Sequence, residues 1–502
     1  MKKTKKANSI SKNLCLIIVL IMIVTIIFNS CNNSDADNNN TNDGNGNTGQ
    51  SQTSDENAIS SAITSIPDNL PDKNYGGYNF RIYTRDLMPH KTDFWAEGET
   101  GDIINDAVYT RNKKIEERFN ISIKLMLFVE NDNWTGQTAQ NAIQAGDDAF
   151  DILALHGAGA FLMAEKNFVF DLFENMPYID FDAPWWAADT IKNLSAFGKL
   201  YCIAGDINHM GLSSTGCILF NKDLLKNLNI EYPYSDVVNN KWTLDKFTSI
   251  VKSGAADLNG DGKMVMGEDR YGLEIRHDWD YPISVLYCGG DRVVTIGEDG
   301  APLLTAYNER TVDIFEKFFD MMNSDAVYIH NHSVVGDYPV NTAFMSGQAL
   351  FYTTYLQDVI NYRGLEHEIG ILPLPKYNES TPKYYTNVDA GQNVYSVPIT
   401  QSDLERTSII IEALCAEGYR TVMPAFYDVS LKTKYSRDDE SLEMIDYIKD
   451  GRVYDYGYFN FPVTGDLAFI GQRLVNSKNP NFTSFYEKNE AAVQKKLDGL
   501  NQ

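Results

Sequence analysis

The chain has 502 residues, of which 43% are hydrophobic and 12% aromatic, and it carries a formal net charge of −25. A surface this acidic repels nucleic acid and anionic lipid, so the charge argues against a nucleic-acid partner and against a strongly anionic ligand. The length exceeds what one small hydrophobic core supports, which predicts two or more lobes.

The first 30 residues have the features of a secretory signal. Five lysines and no acidic residue accompany an apolar run over 14–28, which is shorter than the about 20 residues of a comfortable membrane span. Ser30 then precedes Cys31 as at a lipoprotein cleavage site. We expect residues 1–30 to be a signal peptide and Cys31 to be lipidated, so that the body lies outside the cell, anchored to the outer face of the membrane. An uncleaved N-terminal anchor is the alternative.

The segment that follows the signal has the composition of a flexible linker. Residues 32–60 contain almost no apolar side chains and no Lys or Arg. Such a segment cannot bury enough surface to offset the entropy lost on ordering. We therefore predict that residues 31–70 are a disordered, Asn/Asp-rich tether between the membrane anchor and the folded body.

Strand and helix patterns alternate through the first part of the body. Strands are predicted at 78–86, 121–128 and 150–155, and helices between them at 104–119 and 133–146. The third strand is mostly apolar, which is typical of a buried parallel strand. This order predicts an α/β lobe built on a mostly parallel sheet.

A second lobe is predicted to begin near residue 208. Its predicted elements are a strand running into a helix at 215–230, helices at 241–254 and 311–324, strands at 349–355 and 367–375, and helical stretches at 402–418 and 438–450. Thr243 is expected to cap the second of these helices. The body's cysteines show neither C-x-x-C nor metal-like spacing and are expected to be buried thiols, with a disulfide as the alternative. They are Cys202, Cys217, Cys288 and Cys415.

The segment 257–268 matches the calcium-loop pattern D-x-[DN]-x-[DN]-G-x5-E at every position. The expected ligands are the side chains of Asp257, Asn259, Asp261 and Glu268 and the carbonyl oxygen of Lys263. Calcium sensors usually carry such loops in pairs, and this sequence has one. We therefore expect a structural Ca²⁺ ion that stabilises one lobe, with an ion-free solvated turn as the alternative.

Five segments of the body, in this order, resemble the extracellular solute-binding lipoproteins of ABC importers, in the sugar-binding, maltose-binding-protein-like family. They are GCILFNKDLLKNLNI (216–230), KWTLDKF (241–247), DWDYPISVLYCGGD (278–291), AFMSGQALFYTTYLQDV (343–359) and EIGILPLPKYNE (368–379). The resemblance covers about residues 76–500. The tether and the long segment after residue 420 depart from the family's pattern.

The resemblance implies an α/β, two-lobed periplasmic-binding-protein-like fold of type II. Each lobe would be a mostly parallel sheet flanked by helices, with the ligand held in the cleft between the lobes. The N-terminal lobe would comprise 71–207 and 356–397, and the C-terminal lobe 208–355 and 398–502. The function it implies is that of a monomeric receptor that captures a sugar or oligosaccharide and delivers it to the permease subunits of an ABC transporter.

Aromatic rings stack on sugar faces, and polar groups at strand ends hold sugar hydroxyls. The candidate ligand-binding residues are Trp95, His156, Trp279, Tyr281, Tyr355, Gln357, Asn387 and Asp389. Trp279 and Tyr281 lie in the segment similar to the one that carries a stacking aromatic in the family, and the others follow predicted strands or precede a hinge. For each residue, core packing or a surface position is the alternative.

Motifs for enzymatic chemistry are scarce. The sequence contains no G-x-S-x-G, H-E-x-x-H or Walker A motif, and its seven histidines are dispersed. We therefore expect a receptor without catalytic residues. The alternatives are an extracellular carbohydrate-degrading enzyme, which would need a pair of carboxylates, and a receptor for a peptide or another non-sugar solute.

Overall fold

The computed structural model describes residues 66–86, 90, 92–128, 134–276, 280–329, 342–362, 364–426 and 439–500. The predicted signal peptide, Cys31, nearly all of the predicted tether and Trp279 lie outside these ranges. The described residues form one compact unit. Within the described ranges, no helix is both long enough and apolar enough to cross a membrane.

Thirteen strands are present in the described part of the chain. They are β1 (Tyr78–Arg85), β2 (Ile121–Phe128), β3 (Ile152–His156), β4 (Gly216–Asn221), β5 (Tyr271–Ile275), β6 (Val294–Ile296), β7 (Pro302–Leu304), β8 (Val327–Ile329), β9 (Ala349–Tyr355), β10 (Ile369–Leu372), β11 (Thr386–Asn387), β12 (Asn393–Ser396) and β13 (Arg452–Val453).

Helices connect and cover these strands. The α-helices are Ile103–Phe119, Gln137–Ala145, Gly157–Glu165, Leu172–Asn175, Ala188–Leu194, Met210–Ser213, Lys222–Asn227, Tyr234–Val238, Leu244–Gly254, Tyr281–Ser284, Glu309–Met322, Leu404–Pro424, Asp439–Asp450, Tyr456–Phe459, Phe461–Thr464, Ile470–Ser477 and Phe482–Gly499. In the same described ranges, 3₁₀ helices span Val285–Gly289, Leu356–Tyr362 and Gly465–Phe469.

The first sheet has the strand order β12-β3-β1-β2. Strand β1 pairs in parallel with both β2 and β3, and β12 joins as an antiparallel edge strand. The first four residues of β3 are buried, as its apolar sequence predicts for a strand covered on both faces. The expectation of a mostly parallel sheet is confirmed here.

The second sheet has the order β10-β4-β9-β5-β8. Strand β5 pairs in parallel with β8 and β9, whereas β4 runs against both of its neighbours, β9 and β10. This sheet is therefore mixed rather than mostly parallel. Every residue of β4 and β9 is buried, which places the two strands at the centre of their layer.

The predicted elements agree closely with the observed ones. Strands β2 and β9 have the predicted bounds, and the Thr243 hydroxyl accepts a hydrogen bond from Lys246 N as the expected helix cap. The helix predicted over 133–146 begins only at Gln137, because Gly136 takes a left-handed conformation with φ 66°. The four cysteines of the body are buried free thiols.

Candidate ligand-binding cavity

Strands from both sheets end at one cavity of about 450 Å³. Arg85 and His156 are the last residues of β1 and β3, Tyr355 is the last residue of β9, and Arg276 follows β5 directly; all four side chains line the cavity. Within each sheet these strands are parallel. Their carboxyl ends are where sheets of this kind bind ligands, and the volume lies in the usual range of roughly 300–1,000 Å³.

Two chain segments that pass between the sheets also line the cavity. Met210 and Ser214 come from the segment before β4, and Asp389 and Gly391 from the loop between β11 and β12. The Asp389 N–H donates to the Ser214 carbonyl oxygen at 3.0 Å. Because this bond joins the two segments, it holds the backbone of Asp389 in place.

One wall of the cavity is aromatic. It consists of Tyr458, Phe461 and Phe469, which we call the aromatic wall. The ring centroids of Phe461 and Phe469 are 5.3 Å apart and those of Tyr458 and Phe469 are 5.9 Å apart. Rings at these separations pack against one another and hold an apolar surface in place. The wall therefore offers a fixed apolar surface to a molecule in the cavity.

Asp389 is held from both sheets. Its Oδ2 accepts a hydrogen bond from the Tyr355 hydroxyl at 2.9 Å, and its Oδ1 accepts one from Gly391 N at 2.5 Å. Arg85 Nη2 donates to the Gly391 carbonyl oxygen at 2.6 Å. A chain of contacts therefore runs from the end of β9 through Asp389 to the end of β1.

Arg276 is enclosed by carboxylates. Its Nε and Nη2 donate to the two oxygens of Asp280 at 2.8 and 3.2 Å, and its Nη1 donates to Asp358. Its guanidinium also lies 5.0 Å from the ring centroid of Tyr355. Burial raises the pKa of Asp280 to about 6, although the neighbouring Arg276 opposes that rise.

Two histidines beside Arg85 are held in the neutral form. His156 caps the helix that follows β3, where its Nδ1 accepts a hydrogen bond from Ala158 N at 3.1 Å. Burial, followed by repulsion from Arg85, lowers its pKa well below the usual value. The same two causes lower the pKa of His90 to about 2, and its Nδ1 is 3.1 Å from Arg85 Nη2. Neither ring adds a positive charge to the cavity at neutral pH.

Four of the sequence-predicted ligand residues line this cavity, namely His156, Tyr355, Gln357 and Asp389. Gln357 Oε1 is buried and has no hydrogen-bond partner among the described residues. A buried acceptor without a partner costs free energy. Gln357 is therefore placed to accept a hydrogen bond from a ligand.

The other predicted ligand residues lie elsewhere. Tyr281 is 2% exposed and packs in the core, with ring centroids 5.7 Å from Phe318. Asn387 is 0% exposed and accepts a hydrogen bond from the Ser284 hydroxyl at 2.5 Å. Trp95 is 37% exposed and does not line the cavity.

Sequence reasoning missed the two arginines and the aromatic wall. Arg85 and Arg276 stand at strand ends, so the rule that selected His156 and Tyr355 would also have found them. The aromatic wall comes from YDYGYFNF (454–461) and Phe469. It lies in the segment after residue 420, which departs from the family pattern and therefore gave no guide to its position.

The predicted calcium loop is closed at its base and folded on itself. Ala256 and Arg270 exchange backbone hydrogen bonds of 2.8 and 3.0 Å. Asp257 accepts backbone N–H groups of Gly260 and Gly262, each at 2.7 Å, and Gly262 has φ 79° as the turn requires. The loop backbone therefore has the tight turn that a single-ion loop needs.

The remaining calcium candidates are in contact in two pairs. Asn259 Nδ2 donates to Glu268 Oε2 at 2.9 Å, which brings positions three and twelve of the loop together. Asp261 Oδ1 accepts a hydrogen bond from Lys263 N at 2.9 Å. The oxygen donors suit Ca²⁺. Across the described ranges, however, no three Asp, Glu, His or Cys side chains converge on a common point. The calcium site stays a prediction.

Comparisons with known proteins agree with this architecture. Neither a protein-family model nor a curated protein sequence matches the chain. Among solved structures, an ABC substrate-binding protein from Listeria monocytogenes in complex with cycloalternan is 15% identical with a TM-score of 0.50, covering 85% of this chain and 98% of that one.

Two further structures extend this likeness. The GacH receptor of Streptomyces glaucescens, solved unliganded and with acarbose, is 13% identical with a TM-score of 0.51, covering 84% of this chain and 97% of its own. UgpB from Mycobacterium tuberculosis in complex with glycerophosphocholine is 14% identical with a TM-score of 0.52, covering 86% of this chain and 100% of its own. The expected fold is confirmed: the body of this chain has the α/β fold of the two-lobed solute-binding proteins of ABC transporters.

Proposed function

We propose that the chain is the extracellular substrate-binding protein of an ABC transporter and that it captures a carbohydrate. The observation that carries the proposal is the cavity at the carboxyl ends of β1, β3, β5 and β9, which combines an aromatic wall with the polar groups of Asp389 and Gln357. A ring with one apolar face and several hydroxyl groups is the ligand that fits such a surface.

The structural neighbours support this ligand class. The Listeria protein holds cycloalternan and the GacH receptor holds acarbose. UgpB holds glycerophosphocholine, which keeps a non-sugar solute as the second candidate. The fold accommodates both, so the choice rests on the aromatic wall and the buried acceptors of this cavity.

In this proposal the protein acts by a change of conformation and makes or breaks no covalent bond. A ligand that touches His156 and Tyr355 together contacts the ends of strands in both sheets. Such a ligand binds more tightly to the conformation in which it makes both contacts than to one in which it makes only one. This difference in affinity stabilises the conformation with both contacts. The ligand-bound form would then be delivered to the permease subunits of the transporter.

A thermal-shift screen tests the receptor proposal. A ligand at 100 times its dissociation constant adds about 2.7 kcal/mol to the free energy of unfolding. The screen contains mono- and oligosaccharides, short peptides and glycerophosphodiesters, and we expect a shift with a saccharide. Release of reducing ends from polysaccharides by the purified chain would instead support the enzyme alternative.

We propose that the loop 257–268 binds one structural Ca²⁺ ion through Asp257, Asn259, Asp261, Lys263 and Glu268. The closed base of the loop and its oxygen donors support this assignment. The ion would stabilise the segment between the helix Leu244–Gly254 and β5, and so the second sheet.

We also propose that Cys31 is lipidated after removal of residues 1–30, with the body held outside the cell as a monomer. The basic leader, the apolar run and Ser30-Cys31 support this proposal. Intact mass of the membrane-extracted protein tests it. A chain that still carries Met1, or that starts at a residue other than Cys31, contradicts it.

A further inference from the structure

Arg85 and Arg276 line the cavity, and two arginines at a binding site would ordinarily indicate an acidic ligand. We propose instead that the cavity selects against acidic saccharides and that Asp389 sets this selection. The inference rests on the carbohydrate-binding function proposed above and specifies the charge class of the ligand.

The charge of Arg276 is already compensated inside the protein. Arg276, Asp280 and Asp358 are 6%, 3% and 5% exposed, and three guanidinium nitrogens donate to the two carboxyl groups. With both carboxyl groups ionised, the trio carries one net negative charge. Arg276 therefore offers no excess positive charge to a ligand.

The Asp389 carboxylate offsets charge on Arg85 across a single residue, and Tyr83 and Asp93 act on the same guanidinium. Arg85 Nη2 donates to the Gly391 carbonyl oxygen at 2.6 Å, while the Gly391 N–H donates to Asp389 Oδ1 at 2.5 Å. The guanidinium and the carboxylate thus hold the carbonyl and the N–H of the same residue. His90, also in contact with Arg85 Nη2, is neutral and adds no charge.

The groups that face the cavity beside these pairs are hydrogen-bond acceptors. The Asp389 carboxylate accepts hydrogen bonds from Tyr355, Gly391 N and Tyr458, and the two oxygens of a carboxylate have about four lone-pair sites, which leaves one for a ligand donor. Gln357 Oε1 is a buried acceptor without a described partner. Hydroxyl groups of a ligand can donate hydrogen bonds to both of these acceptors. A ligand carboxylate offers no donor to these two acceptors, and its negative charge repels that of Asp389. Repulsion between like charges discriminates strongly against such a ligand.

Replacing Asp389 by Asn tests this balance directly. The amide would keep the size of the side chain and one oxygen, but the side chain that lines the cavity beside Arg85 would lose its negative charge. The D389N variant should therefore gain affinity for acidic saccharides. The matched control is Asp320→Asn, the same change at a carboxylate that is 69% exposed and pairs with Lys252 at 2.7 Å.

The experiment is isothermal titration calorimetry at pH 7 and low salt with the full chain. The probes are neutral saccharides and their uronic acids in pairs: glucose and glucuronate, galactose and galacturonate, cellobiose and cellobiouronate. We expect the wild type to bind the neutral member of a pair at least about tenfold more tightly. The ratio of the affinity for the neutral saccharide to that for its uronic acid should fall several-fold in Asp389→Asn and stay unchanged in Asp320→Asn.

Each other outcome overturns a defined part of the proposal. Equal or tighter binding of the uronic acid by the wild type overturns the charge selection while leaving carbohydrate binding intact. An unchanged ratio in Asp389→Asn overturns the role of Asp389. Failure of every saccharide to bind overturns the proposed function, and this inference with it. The wild-type ratio decides the charge class without a variant, so the test does not depend on the folding of Asp389→Asn.

Discussion

The Tyr355 hydroxyl donates to Asp389 Oδ2 at 2.9 Å and so joins the end of β9 to the loop that precedes β12. The two strands belong to different sheets. A hydrogen bond to a carboxylate is stronger than one between neutral groups. This contact therefore links the two sheets through side chains that line the cavity.

Loss of this link should weaken ligand binding. In Tyr355→Phe the carboxylate loses a charge-assisted hydrogen bond, which contributes about 1.5–3 kcal/mol. We expect the affinity for the saccharide found in the screen to fall about tenfold, measured by calorimetry. Tyr307→Phe removes a hydroxyl from a tyrosine that is 41% exposed and serves as the control. Equal affinities for the two variants would contradict a role for the Tyr355 hydroxyl.

The aromatic wall should contribute to affinity through stacking. Phe461→Ala and Phe469→Ala each remove a ring that lines the cavity, and we expect a loss of at least about tenfold in affinity. Phe173→Ala removes a ring that is 40% exposed and lies outside the cavity. If the cavity variants bind as well as Phe173→Ala, the ligand does not touch the wall.

Glu412 should make stability depend on pH. It is 0% exposed and accepts hydrogen bonds from the indole nitrogens of Trp185 and Trp186 at 2.9 and 2.8 Å. Burial raises its pKa from 4.5 to about 7. Between pH 4.5 and about 7, Glu412 therefore keeps its proton in the folded protein and has released it in the unfolded chain. This contribution to stability is fully present below about pH 4.5 and is lost as the pH rises to about 7.

Glu412→Gln should remove that contribution. We expect the free energy of unfolding, measured by denaturant titration between pH 5 and 8, to depend less steeply on pH in the variant than in the wild type. The indole fluorescence of the two tryptophans reports the same titration. Parallel pH profiles for the two proteins would show that Glu412 does not titrate in this range.

Calcium should raise the melting temperature of the wild type, and a chelator should lower it, because bound Ca²⁺ stabilises the folded state alone. Asp261→Ala should abolish this shift and leave saccharide affinity nearly unchanged, since the loop 257–268 is not part of the cavity. Asp320→Ala is the control and should keep the shift. A melting curve that does not respond to calcium or chelator contradicts the calcium proposal.

The sequence predicted the elements of the fold well because local patterns determine them. The apolar run of β3 and the Thr243 cap depend on neighbours along the chain. The direction of β4 does not: its antiparallel pairing with β9 and β10 depends on how the chain returns from the first sheet. That information is absent from a strand's own composition.

The candidate site was predicted in part for the same reason. Strand ends can be read from a sequence, so His156, Tyr355, Gln357 and Asp389 were selected and line the cavity. Tyr281 has the right chemistry, but its ring packs against Phe318 in the core. A side chain's direction is set by tertiary packing, and neither composition nor resemblance supplies it.

If the proposed function is right, a saccharide binds in the cavity at the carboxyl ends of β1, β3, β5 and β9. Calorimetric titration of the purified protein with the best saccharide from the thermal-shift screen, repeated with Phe461→Ala, tests it most directly. We expect saturable binding by the wild type at a single site and a marked loss of affinity in the variant. Binding that is undiminished in Phe461→Ala, or a screen in which only peptides or glycerophosphodiesters raise the melting temperature, would contradict it.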